Sequence, residues 1–139
     1  MDMTKRCIER VSKIHPDLRR VVYRAADLHG NTHADGLGFV VTEGMRTPAR
    51  QAELVKAGAS QTMNSRHMTG HAVDIAATVG GKVRWDWPLY YKLANVFFEA
   101  ARVENVPIEW GGDWPKLRDG PHYQLPHVMY PKPREKSNA

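Results

Sequence analysis

The 139-residue chain carries a single cysteine, Cys7. One thiol cannot form a disulfide within the chain, and it excludes a metal site built from several thiolates. Cys7 falls among apolar residues at helical spacing, so it reads as a small core residue rather than a nucleophile. Long hydrophobic runs are also missing. Nothing approaches the roughly 20 apolar residues that span a bilayer, so no stable membrane association is expected. The N-terminal MDMTKRCIER holds no apolar stretch of signal-peptide length, and synthesis and retention in the cytoplasm are expected until something else releases the protein. Blocks of like charge are scarce: the formal net charge of +5 is spread along the chain, apart from Arg19-Arg20 and a basic stretch at positions 132–136. A mildly basic surface favours polyanions in general. Without a basic stripe interleaved with aromatics, nucleic-acid binding is not expected. Neither a repeat nor a linker appears, so no separate binding module is expected.

What is present suits one soluble domain. Apolar residues make up 42% and charged residues 25%, ordinary globular values. A chain of this length removes roughly 65–70% of its extended surface from water on folding. The expected organisation is a single domain over residues 1–130, a frayed tail over residues 131–139, and a monomer.

Apolar spacing predicts helices over residues 4–14 and 16–29, with Pro16 at the start of the second. Residues 30–38 read as a loop and 38–42 as a short β-branched strand. Thr47-Pro48 is a cap-and-first-turn pair that opens a helix stopping near Gly58. Residues 59–70 look irregular, 72–76 form a strand, and Gly80-Gly81 turn the chain so that 82–85 pair back. The clearest amphipathic helix spans residues 88–103, with Tyr91, Leu93, Ala94, Phe97, Phe98 and Ala101 as inward candidates. Strands are expected at 107–110 and 122–125, either side of a break at Gly111-Gly112. Helices first and interspersed strands later give an α+β domain with a small antiparallel sheet packed with helices.

Seven histidines invite a search for metal ligands, and the densest stretch is SRHMTGHAVD, Ser65 to Asp74. As a helix it would align His67, His71 and Asp74, but Gly70 weakens a helix and the next residues are strand-like. The glutamate of an HExxH metalloprotease is missing, since Met68 holds its place. As a strand, Asp74 shares a face with the small Ala72 and Ala76, while His71 points away with Val73 and Ile75. His71 then reads as an outer partner or structural histidine rather than a ligand. The second cluster is Asp119-Gly-Pro-His122. A catalytic zinc takes three protein ligands and keeps a position for water, and His67, Asp74 and His122 meet that count. Asp119, three residues before His122, is placed to take a proton from the water. Arg46, between a strand and a helix start, is either an oxyanion-stabilising guanidinium or an ordinary surface arginine. His15, His29, His33 and His127 read as helix-start or loop histidines.

Ser65-x-His67-x-x-Gly70-x-Ala72-x-Asp74 followed by Asp119-x-Pro121-His122 resembles the zinc D,D-peptidase/L-alanyl-D-glutamate endopeptidase family, whose fold is shared with the Hedgehog signalling domain. The resemblance covers about residues 41–125. It implies one Zn2+ held by His67, Asp74 and His122, Asp119 as catalytic base, and Arg46 on the scissile carbonyl. It further implies that Gln51 and Ser65 line the substrate cleft. The aspartate at 119, where dipeptidase members usually carry glutamate, leans toward the endopeptidase branch. The stretches around Gly111–Trp114 and Pro121–Leu125 resemble phage and prophage endolysins. The implied activity is hydrolysis of the L-Ala–D-Glu bond of peptidoglycan stem peptides. The implied setting is the host cytoplasm until holin-dependent release. The alternatives are a D,D-carboxypeptidase releasing terminal D-Ala, with specificity set by a loop over residues 56–64, or a catalytically silent wall-binding domain.

Overall fold

Thr4 caps the first helix by accepting a hydrogen bond from the backbone of Cys7 at 3.2 Å, and α1 runs Lys5–Val11. The computed structural model describes residues 3–32, 36–60 and 65–131. His33, residues 61–64 of the loop tied to specificity and all of the expected tail beyond Pro131 lie outside the described residues. After α1 come α2 (Pro16–Thr32), β1 (Leu37–Glu43), α3 (Pro48–Lys56), a 3-10 turn (Arg66–Thr69) and β2 (Ala72–Val79). Then follow β3 (Lys82–Arg84), α4 (Trp87–Glu104), β4 (Glu109–Trp110), a second 3-10 turn (Gly111–Asp113) and β5 (His122–Gln124). The helices and the small sheet are those of an α+β domain.

Two expectations about helices need correction. The second helix does not stop at His29 but continues through Gly30 to Thr32. A glycine inside a helix is unfavourable by about 1 kcal/mol relative to alanine, less than is gained by burying Leu18, Val21, Val22 and Ala25 along the same helix. On α4 the inward stripe is Tyr90, Leu93, Ala94, Phe97, Ala100 and Ala101. Tyr91 and Phe98 were expected inward, yet they are 47% and 39% exposed. Tyr90 takes the buried phase because its hydroxyl has partners there: it donates to the Arg84 carbonyl at 2.9 Å and accepts from the Ala77 amide at 3.1 Å.

All strand pairs are antiparallel. The order is β1-β2-β5-β4, with β3 on the end of β2. Alternation along the strands sorts the side chains onto two faces. Phe39, Val41, Val73, Ile75, Ala77 and Tyr123 belong to one core cluster with α1, α2 and α4. Phe97 stacks on Tyr123 with ring centroids 4.2 Å apart and packs 5.2 Å from Phe39. Cys7 is buried as expected, and its Sγ accepts from the Val41 amide at 3.3 Å, tying α1 to β1.

Asp74, His122 and Gln124 alternate with these core residues along β2 and β5. Register puts Asp74 directly opposite His122. On the other edge, the pairing of β1 shifts between Val41 and Glu43, so that Glu43 faces Asp74. Such a bulge re-aims a side chain, and here it brings Glu43 alongside the aspartate.

Replacing Phe97 with alanine removes the ring that bridges α4 and the sheet. We expect Phe97→Ala to lower stability by about 3–5 kcal/mol, read as a lower urea midpoint with an unchanged slope.

Candidate metal centre

The 3-10 turn between α3 and β2 is built to aim His67. Ser65 caps it, accepting from the His67 amide at 3.2 Å, and Gly70 closes it with φ +75, a left-handed conformation that glycine adopts freely. The backbone of the turn is held from three sides. Its Gly70 carbonyl accepts from the His15 amide, its His67 carbonyl from the Arg46 amide, and the adjoining His71 carbonyl from the Leu125 amide, at 2.8, 2.8 and 2.9 Å. His67 is therefore buried and fixed in direction.

His67 Nδ1 lies 2.9 Å from the carbonyl of Gly44. A carbonyl only accepts, so Nδ1 donates and the neutral ring carries its lone pair on Nε2. That Nε2 is buried with no hydrogen-bond partner and sits 3.2 Å from Asp74 Oδ1. His122 repeats the arrangement from the other side. Glu109 accepts from Gln124 Nε2 at 3.1 Å, which turns Gln124 Oε1 toward His122 Nε2 at 2.8 Å. His122 Nε2 thus donates, and its Nδ1 lone pair faces the same Asp74 oxygen at 3.0 Å.

Two imidazole lone pairs and a carboxylate converging in a buried place repel one another unless positive charge sits among them. Burial would raise Asp74, but the hydrogen bond of His122 and the closeness of both imidazoles hold its carboxyl well below the ordinary range. Burial would lower His122, but the hydrogen bond and charge of Asp74 lift it above the ordinary value. One ligand atom from each of His67, Asp74 and His122 lies within 4.8 Å of the others. Two nitrogens and one oxygen suit zinc, so the donor set fits a single divalent cation.

A cleft of about 450 Å³ opens over these residues, and both Arg46 and Asp119 line it. Arg46 is buried, not a surface arginine. Glu43 accepts from its Nε at 2.7 Å and from Nη2 at 2.6 Å, and Gln51 Oε1 accepts from Nη1 at 2.7 Å. Ser65 Oγ lies 3.5 Å from the same Nη1, and Nη2 is 3.8 Å from Asp74 Oδ2. Burial would raise the Glu43 carboxyl, yet the hydrogen bond and charge of Arg46 keep it lowered. Ser65 does line the cleft. Gln51, expected on the cleft wall, is instead fully buried, and its amide donates to Ser60 Oγ at 2.8 Å while its oxygen holds Arg46.

Asp119 reaches the cleft on the turn before β5. Its amide donates to the Gly111 carbonyl at 2.9 Å and its carbonyl accepts from the His122 amide at 3.2 Å. The break at Gly111 has a steric cause: a Cβ there would stand 2.4 Å from the Asp119 carbonyl oxygen. Burial and then the negative charge of Asp74 raise the Asp119 carboxyl, against the charges of His122, His67 and Arg46.

The remaining histidines among the described residues stay outside this group. His71 accepts from or donates to Thr69 Oγ1 at 2.6 Å and packs 5.6 Å from the ring of His15. Burial, then the nearby Arg66, His15 and His127, lower it to about 4. His15 Nδ1 accepts from the Asp17 amide at the start of α2. His127 is exposed in a turn. His29, expected at the helix end flanking a loop, lies within α2 and is buried near Phe39.

Glu43 and Gln124 were not singled out from the sequence. Gln124 carried a usable signal, because it lies two residues beyond His122 and so shares its strand face. Glu43 carried none, because its position depends on the bulge.

Gln124→Ala frees the His122 ring to rotate and to change tautomer. We expect it to weaken divalent-cation binding about 10–100-fold, measured by isothermal titration. Because the His122 pKa is raised, protons compete with the cation from above the ordinary histidine value of 6.5. Wild-type affinity should therefore already be falling as the titration is repeated downward through that pH.

Residues 1–125 match the family of phage L-alanyl-D-glutamate peptidases. The chain is 32% identical over 125 residues to the L-alanyl-D-glutamate peptidase of Listeria phage A118. That match covers 90% of this chain and 42% of the phage protein, so the chain spans less than half the length of that relative. The crystal structure of the Serratia marcescens L-Ala D-Glu endopeptidase ChiX superimposes with a TM-score of 0.84 at 44% identity, covering 95% of each chain. The vancomycin-resistance D,D-dipeptidase VanXYg, at 16% identity, shares the fold with a TM-score of 0.50 over 84% of this chain and 53% of its own. The fold is that of the D,D-peptidases.

Proposed function

The chain belongs to the phage L-alanyl-D-glutamate peptidase family, and we propose that it hydrolyses the L-Ala–D-Glu bond of peptidoglycan stem peptides with one zinc ion held by His67, Asp74 and His122. The observation that carries this reading is the convergence of two lone pairs and a carboxylate beneath a cleft that also presents Asp119 and Arg46. Bound there, zinc would polarise the scissile carbonyl and make a water acidic enough to attack near neutral pH.

The chain's own groups supply the rest. Asp119 takes the proton of the attacking water and passes it to the leaving amine. Burial of its carboxyl makes it a better base, and its conjugate acid can still donate. Arg46 faces the developing oxyanion. Glu43 grips two of its nitrogens and Gln51 a third, so the guanidinium does not have to reorient as charge builds up. Such preorganisation is the main source of electrostatic catalysis. Glu43 and Gln51 act through Arg46, and Gln124 through His122.

No helix among the described residues is long and apolar enough to cross a membrane. The setting we propose is that of an endolysin, made in the host cytoplasm as a monomer and released to the wall through a holin.

Wild-type protein incubated with muropeptides should yield products with a new N-terminal D-Glu by mass spectrometry; free D-Ala as the product would move the assignment to a D,D-carboxypeptidase. Asp119→Ala should keep one zinc per chain by metal analysis while kcat falls about 10²–10⁴-fold.

A further inference from the structure

The side of Asp119 away from the metal cleft carries an unassigned feature. Asp119 lines both the cleft and a second hollow of about 190 Å³, floored by Gly120-Pro121 and walled by Trp85 and Trp87. These indoles are conspicuously open: Trp85 is 63% exposed and Trp87 40%. Contiguous exposed apolar surface is uncommon on a protein with no use for it.

Both rings are held by neighbours that also line the hollow. Trp85 lies parallel to the buried Tyr90, with centroids 6.2 Å apart and an interplanar angle of 5°. The Arg118 guanidinium sits 4.5 Å over Trp87, and Arg118 is itself held, donating from Nε to the Gly112 carbonyl at 2.9 Å and from Nη2 to the Tyr91 hydroxyl at 2.6 Å. Rings fixed in advance lose little side-chain entropy when a ligand stacks on them. A flat, open indole with one face backed presents its electron-rich face outward, a partner for weakly positive C–H groups. The apolar faces of pyranose rings offer such groups.

Substrate chemistry places a pyranose nearby. In peptidoglycan the amine of the L-alanine is acylated by the lactyl group of N-acetylmuramic acid. On the acyl side of an L-Ala–D-Glu bond, one residue and the lactyl ether, together roughly 7 Å of chain at about 3.3–3.6 Å per residue, separate the scissile carbonyl from the sugar ring. Any enzyme cutting that bond therefore meets the glycan beside its catalytic groups. We infer that the Trp85–Trp87 hollow is a subsite for the glycan strand, stacking a sugar ring of the same substrate whose peptide occupies the metal cleft. This rests on the proposed L-Ala–D-Glu cleavage; Asp119 is the residue that the two sites share.

The test compares two substrates in the zinc-loaded enzyme: a stem peptide bearing its N-acetylmuramic acid, and the same peptide N-acetylated on L-alanine. Trp85→Ala, at an exposed position, should raise KM about tenfold on the sugar-bearing peptide, the scale of one lost stacking contact. Turnover of the N-acetylated peptide should stay within twofold, and Trp85→Tyr should recover most of the loss. Equal losses on both substrates, or none on either, would overturn the subsite. If wild-type enzyme cuts neither peptide between L-Ala and D-Glu, the functional reading fails. Indole-fluorescence titration with peptide-free glycan chains then decides the subsite alone. Saturable quenching that Trp85→Ala abolishes supports it, and quenching unchanged or absent overturns it.

Discussion

Asp74 Oδ1 faces two imidazole nitrogens at 3.2 and 3.0 Å, and neither nitrogen can carry a proton toward it in the neutral state without surrendering a partner behind. The Gly44 carbonyl holds the proton of His67 on its far side, and the Gln124 amide oxygen does the same for His122. Three electron pairs are thereby forced together in a buried pocket, an arrangement that is unfavourable without a cation. The demand for positive charge comes from these outer partners as much as from the ligands, a common design in metal sites. The rest of the cleft follows from meeting it.

The sheet meets it by register. Asp74 and His122 are directly opposed on β2 and β5, while the bulge in β1 turns Glu43 toward them. The same alternation sends Val73, Ile75 and Tyr123 into the core, so the apolar packing that stabilises the domain also fixes the direction of the ligands. Glycines set the loops: Gly70 closes the turn that aims His67, and Gly111 lets the Asp119 turn approach within the distance a side chain would forbid. Arg46, held by Glu43 and Gln51, lines the same cleft as Asp119.

Much of this was legible in the sequence. His67, Asp74 and His122 could be read because metal ligation restricts residue type so severely, and because strand alternation alone puts Asp74 and His71 on opposite faces. The spacing of Asp119 to His122 pointed to a shared turn, and Asp119 does line the cleft. What stayed hidden depends on contacts between distant segments. The bidentate grip of Glu43 requires a bulge that no local pattern announces. The Gly44 carbonyl is backbone and has no side-chain signature. The family resemblance put Gln51 on the cleft wall, yet it is fully buried with its side-chain oxygen on Arg46. On α4 the choice between Tyr90 and Tyr91 turned on a hydroxyl that finds its partners only once β2 and the segment at Arg84 are in place. The aromatic hollow was invisible for a similar reason: Trp85 and Trp87 come beside Asp119 only once its turn packs there.

The central claim is that one divalent ion sits among His67, Asp74 and His122, and zinc-edge anomalous diffraction from crystals of the zinc-loaded protein measures it directly. The account predicts a single strong peak bonded to His67 Nε2, His122 Nδ1 and an Asp74 oxygen, at roughly 2.0–2.2 Å from each. A peak elsewhere, or a zinc whose shell omits either of these two histidines, would contradict it.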